Sequence, residues 1–144
     1  MSILNYTTQI DAYKTISEIQ KLLVTKGATS INVDYNEAGN PISLTFFIQI
    51  NESPINFRLP SNWYGIKRAL EKDRKIPNKF KTDEQAMKIS WRITKNWVEA
   101  QMAIIEAELA ELPEVFLPYA VTGSGATLFQ YIKGDMKLLM EANH

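Results

Sequence analysis

Three runs in the first half of the chain alternate apolar and polar residues with a period of two. They are Ile31, Val33 and Tyr35, then Ile42, Leu44, Phe46, Ile48 and Ile50, then Ile55, Phe57 and Leu59. A period of two places alternate side chains on opposite faces of a strand, so the runs predict an antiparallel meander with one buried and one wet face. The connections agree, because Asn36-Glu37-Ala38-Gly39-Asn40-Pro41 and Asn51-Glu52-Ser53-Pro54 are turn sequences. Ahead of the strands, Ala12, Ile16, Ile19 and Leu23 fall on one helical stripe that starts at the N-cap residue Asp11 and stops at Gly27. Asn5 to Ile10 fits a short edge strand. After Pro60, Ser61 or Asn62 caps a second helix that runs to about Arg74, with Trp63, Ile66 and Leu70 facing inward.

The next segment follows a different pattern. From Thr82 to Leu112 the spacing predicts a helix of about eight turns, begun by a Thr82/Gln85 capping box and stopped before Pro113. At 100° per residue its apolar positions fall on two faces. Met87, Trp91, Val98, Met102, Ile105, Leu109 and Leu112 gather on one, while Ala86, Ile89, Ile93, Trp97, Ala100, Ile104 and Ala107 gather on the other. A helix with two apolar stripes must be covered twice. Trp91 and Trp97 lie about 120° apart on this helix, so one belongs to the core and the other suits an interface. A homodimer, or a higher oligomer, built on residues 82–112 is the expectation. Glu114 to Val121 then reads as extended or irregular, and Thr127 caps a last helix carrying Leu128, Tyr131, Ile132, Leu138 and Leu139. The order β-α-β-β-β-α-α-α describes one α+β domain over residues 1–144, with a small antiparallel sheet, helices on one face and a long central helix.

Composition narrows the chemistry. With 45% hydrophobic and 22% charged residues the chain has the make-up of an ordinary globular protein. No run approaches the roughly 18 apolar residues of a membrane span, and the first residues lack the pattern of a signal peptide, so no membrane partner is expected. There is no cysteine, and the only histidine is His144. Thiol nucleophiles, Ser-His pairs and zinc sites therefore have nothing to stand on. Glu99, Glu106, Glu108 and Glu111 sit at helical spacing and read as a solvated or ion-paired face rather than as catalytic carboxylates. Asp34, Asn36 and Glu37 are explained by turn chemistry at least as well as by cation binding. The residues thus argue against an enzyme, and no metal or cofactor is expected.

The net charge of zero hides an asymmetry. Ten of the sixteen basic residues lie between Lys67 and Lys95, against four acids, whereas residues 96–132 carry five acids and no base. Lys67, Arg68, Lys72, Arg74, Lys75, Lys79 and Lys81 are interleaved with Trp63, Tyr64 and Phe80. Such a mixture suits a phosphate-bearing ligand, since arginine grips phosphate in bidentate fashion and aromatic rings stack on bases. It also suits a solvated surface whose long stems cover apolar neighbours. The phosphate-contact candidates are Arg58, Lys67, Arg68, Arg92 and Lys95, and the stacking candidates are Trp63 and Tyr64. The loop Thr122-Gly123-Ser124-Gly125-Ala126-Thr127 could cradle a phosphate, but it lacks the lysine of a P-loop and reads more simply as a connector.

The segments Phe57-Arg58-Leu59-Pro60, then WRxxKxWVEAQ from Trp91 to Gln101, then Glu114-Val115-Phe116-Leu117-Pro118-Tyr119 resemble a family of small proteins of tailed phages and prophages. The similarity runs through most of the chain, from Tyr6-Thr7-Thr8 and Gly27-Ala28 onward. It implies a phage origin and a place in the host cytoplasm, and it carries over no catalytic residue. With that origin, the expected role is a non-enzymatic accessory protein that counters host defence. It would do so by sequestering a phosphorylated nucleotide-type ligand or by binding a host defence protein. The alternative is a nucleic-acid-binding accessory of phage replication or recombination.

Overall fold

The computed structural model describes residues 3–141, so the terminal His144 lies outside the described residues. Helix α1 (Ala12–Thr25) leads into strands β1 (Ser30–Tyr35), β2 (Pro41–Ile50) and β3 (Ser53–Pro60). Helices α2 (Tyr64–Lys72) and α3 (Asp83–Glu106) follow, then the short helices α4 (Leu112–Phe116), α5 (Leu128–Lys133) and α6 (Lys137–Glu141). The strands form one antiparallel sheet in the order β1-β2-β3. This is the expected α+β class with a three-stranded antiparallel sheet and a long helix.

Register follows from the alternation. Leu44 pairs with Leu59 and Phe46 with Phe57, which puts Leu44, Phe46, Ile48, Phe57 and Leu59 on one face. All five are buried in the main core with Ile16, Ile19 and Leu23 of α1 and Trp91, Val98 and Met102 of α3. Phe46 and Phe57 stack at 5.2 Å between ring centroids, and Phe116 of α4 meets Phe46 edge-on at 5.5 Å. The β2–β3 connection is a two-residue hairpin in which Asn51 and Glu52 both have positive φ (49° and 70°). That geometry matches the right-handed twist of the strands, and it favours Asn more than Glu. α1 is framed as expected: the Asp11 side chain accepts from the Tyr13 amide, and Gly27 lies beyond the last turn at φ 104°.

Several expectations about secondary structure do not hold. Glu114 to Val121, expected to be extended or irregular, is mostly helical, because α4 covers Leu112–Phe116 and a single 3-10 turn covers Leu117–Tyr119. Asn5 to Ile10 forms no strand; residues 4–7 make a turn with Asn5 at φ 65°. This segment is held by the Gln85 side chain, whose Nε2 donates to the carbonyls of Tyr6 and Thr8 at 2.9 Å each. Gln85 is thereby drawn away from the capping box, of which only the half from the Gln85 amide to Thr82 Oγ1 (3.1 Å) is formed. The long helix also stops short of Leu112. The Leu109 amide bonds the carbonyl of Ile104 and the Glu108 amide that of Ile105, with Glu108 at φ 60°. This is a Schellman closure made without glycine. The single last helix is in turn divided into α5 and α6.

The N-terminal two thirds of both apolar stripes of α3 are covered by the same chain, whereas Ala100, Ala107 and Leu109 are exposed. Ala86, Ile89, Met87 and Ile93 pack with Trp63 and Leu70 of the α2 region and with Ile76, forming a second, smaller core. Trp97 meets Phe116 and Tyr119 edge-on, each at 5.5 Å between centroids. Over that part the two-faced pattern does not by itself require a second subunit.

Candidate phosphate-binding surface

The seven candidate residues are distributed over three places. Arg58 projects from β3 on the face away from the core, where its Nη1 donates to the Gly125 carbonyl at 3.0 Å. It holds down the loop that follows the outer edge of β3, where Ala120 bridges Phe57 and the Val121 amide bonds the Asn56 carbonyl. Within that loop the Thr122 amide bonds the Ala126 carbonyl and the Gly125 amide the Thr122 carbonyl. These two donors are spent on the turn itself, and the loop covers the edge of β3.

Arg92 and Lys95 lie in an open groove of about 420 Å³ between α1 and α3. Arg92 Nη1 donates to Glu18 Oε2 at 2.8 Å and to the fully buried Thr15 hydroxyl at 3.2 Å. Lys95 Nζ bonds Glu99 Oε2 at 2.8 Å, and this hydrogen bond, with the lysine's charge, holds the Glu99 carboxyl below its usual pKa. Both cations already have carboxylate partners. An incoming phosphate would have to displace a carboxylate to reach either, so this groove ties α1 to α3 rather than offering an anion site.

The remaining candidates lie around α2. Trp63 is buried in the second core, so its ring is not open to a base. Its Nε1 has no hydrogen-bond partner. Tyr64 is exposed, and its hydroxyl accepts from Asn36 Nδ2 at 3.2 Å. Lys67 bonds Asp83 Oδ1 at 3.0 Å and approaches Glu71 at 3.5 Å, joining α2 to the first turn of α3; the hydrogen bond with Asp83 raises its pKa. Arg68 is exposed and, among the described residues, has no ion-pair partner.

Beyond Arg68 the chain builds a ledge of free cations. α2 ends at Lys72, and Ile76 inserts into the second core with 2% of its surface exposed. With Ile76 as the anchor, Arg74 and Lys75 are left outside, and the Lys75 amide is fixed by Asp73 Oδ1 at 2.9 Å. Pro77 then starts the single turn Asn78–Phe80, which sets Lys79 over the Phe80 ring at 5.1 Å. Among the described residues Arg68, Lys72, Arg74, Lys75, Lys79 and Lys81 form no ion pair, whereas Lys88, Arg92 and Lys95 each have one and Lys67 has two. Lys72, Arg74 and Lys75 line a shallow groove of about 610 Å³ together with Asp73, Ile3 and Ala69. The pattern of basic residues in the sequence marks this ledge; of the candidate residues only Arg68 belongs to its unpaired cations, while Lys67, Arg92 and Lys95 are engaged with carboxylates.

Among the described residues there is no group of three or more His, Asp or Glu placed to hold a metal ion, and no helix long and apolar enough to cross a membrane. Comparison with protein-family models, curated proteins and solved structures finds no match.

Proposed function

We propose that this is a non-enzymatic phage accessory protein that binds a phosphate-bearing partner, a nucleic-acid strand, along the α2 ledge. The observation that carries this reading is the run of six cations from Arg68 to Lys81 that have no carboxylate partner among the described residues. Holding like charges together without partners costs stability, and phosphates would relieve that repulsion. The ledge is open and elongated, which favours a backbone of successive phosphates over one enclosed nucleotide. A role in phage replication or recombination in the host cytoplasm follows from this reading and from the resemblance of the sequence.

Sequestration of a nucleotide-type ligand as counter-defence is the second reading. It draws on one feature, the groove beside Arg74 and Lys75, whose volume of about 610 Å³ falls in the range of small-molecule sites. It loses one of its two stacking candidates, because Trp63 is buried while Tyr64 is exposed.

Fluorescence anisotropy with a labelled single-stranded DNA, repeated with a cyclic dinucleotide at two salt concentrations, separates the two. Strand binding should weaken steeply and linearly in log–log form as salt rises. Saturation by the dinucleotide at a fixed stoichiometry, with little salt dependence, would favour the second reading. Binding of neither would overturn both and leave a host defence protein as the partner to seek.

A further inference from the structure

A different part of the molecule, lined by none of the ledge cations, contains a small recess. Leu59, Pro60, Thr94, Trp97 and Tyr119 line this recess of about 170 Å³, which is open to solvent. A cavity of about 150 Å³ is enough to hold benzene. The walls are suited to a ring. Trp97 and Tyr119 meet at 72° with centroids 5.5 Å apart, making a corner that gives one ring face and one ring edge.

The polar side of the recess is set by three hydroxyls. Ser61 Oγ lies 2.8 Å from Ser90 Oγ and 3.2 Å from Thr94 Oγ1, and Thr94 Oγ1 lies 2.9 Å from the Ser90 carbonyl. Ser61 and Ser90 are both buried. Each hydroxyl has one proton. The Ser90 carbonyl can only accept, so Thr94 donates to it, and the longer contact to Ser61 Oγ is made from the same Thr94 hydroxyl. With its proton engaged, what Thr94 has left to offer is its lone pairs. An aliphatic residue at these positions would have filled the space without this cost in polar burial.

We infer that the recess is a binding site for a single flat ring that carries a hydrogen-bond donor on its edge, a phenol-like or aminoaryl group. The ring packs into the Trp97–Tyr119 corner, and its donor reaches a lone pair of Thr94. The inference is independent of the ledge, since no ledge cation lines the recess.

The test is a titration of the whole protein with phenol and, separately, with toluene, followed through the indole N–H resonance of Trp97. Phenol should move that resonance saturably and bind at least tenfold more tightly than toluene. Thr94→Val, which keeps the shape and removes the oxygen, should bring phenol down to the level of toluene. Should Thr94→Val fail to fold, Tyr119→Ala serves instead. It leaves the three hydroxyls intact and should abolish saturable binding by removing one wall. A linear, unsaturated drift of the Trp97 resonance, equal affinity for the two compounds, or unchanged phenol binding in Tyr119→Ala would overturn the inference.

Discussion

Arg92 and Arg74 show two fates of the same side chain. Arg92, on a helix packed against α1, is 16% exposed and bonded to Glu18 and Thr15. Arg74, beside an anchoring isoleucine, is exposed and unpaired among the described residues. The first helps to hold the fold together; the second adds nothing to it and is open to a partner. In a protein with no net charge, the division of cations into paired and free is what gives the surface a direction. The acids continue that direction. Glu106, Glu108, Glu111 and Glu114 lie at the far end of α3, and its 24 residues span about 36 Å.

The contrast is broken most severely at Trp63, which the sequence places among the ligand-stacking residues and the fold places in the second core. Trp63→Ala should cost about 3–5 kcal/mol, the usual penalty for emptying a buried aromatic site. Trp63→Phe should cost less, because it keeps a ring and removes an indole N–H that has no partner. Chemical denaturation of the two variants measures both. A Trp63→Ala protein of unchanged stability would mean that the ring is not part of a core.

Reversing the free cations should alter binding and leave folding intact. The triple variant Lys72→Glu, Arg74→Glu, Lys75→Glu should weaken single-stranded DNA binding by about 100-fold at low salt and reduce the salt slope by about 2. Its melting temperature should hold or rise slightly as repulsion among like charges is relieved. Arg92→Ala should do the opposite. It leaves the half-buried Glu18 carboxylate without its cation, at a cost of about 1–2 kcal/mol, a value between those of exposed and fully buried pairs. DNA affinity should be unchanged. If Arg92→Ala abolished binding while the triple reversal did not, the assignment of paired and free cations would be inverted.

How far these roles could be read from the sequence depended on the range of the interaction concerned. The alternation in Ile42–Ile50 and Ile55–Leu59, the stripe of α1 and the caps at Asp11 and Thr82 are set within a few residues, and each is present as expected. The end of α3 carries no local signal, because glycine is the usual mark of a left-handed C-terminal residue and Glu108 occupies that position instead. Asn5–Ile10 has strand-like residues, but a glutamine 77 positions away holds it as a turn through Thr8. The site suffered most. Arg92 meets Glu18 across 74 positions and Lys67 meets Asp83 across 16, and no local pattern marks either pair. The run of basic residues was visible; which of them had been neutralised was not. The recess at Thr94 and Trp97 gave no sequence signal, because its walls come from β3, α3 and the turn after α4.

The smallest effect distinguishes the paired and free cations by pH. The hydrogen bond from Lys95 lowers the pKa of Glu99 from 4.5, and that from Lys26 lowers the pKa of Glu106 in the same way. A carboxylate whose pKa is lower folded than unfolded adds stability that is present above the unfolded value and lost as pH falls through the folded one. The melting temperature should therefore decline as pH drops below about 4.5, and Glu99→Gln or Glu106→Gln should each remove a part of that decline. Both pairs are solvated, so added salt should shrink the effect. Lys67 works in the other direction, because its raised pKa means that its bond to Asp83 stabilises the fold below 10.5 and is lost as pH rises beyond it. Lys72→Gln and Lys75→Gln have no carboxylate partner to release, so the acid limb of the stability curve should keep its shape in both. A change in that limb would mean that these lysines are paired in solution and that the ledge is part of the scaffold, which would remove the main support for its role in binding.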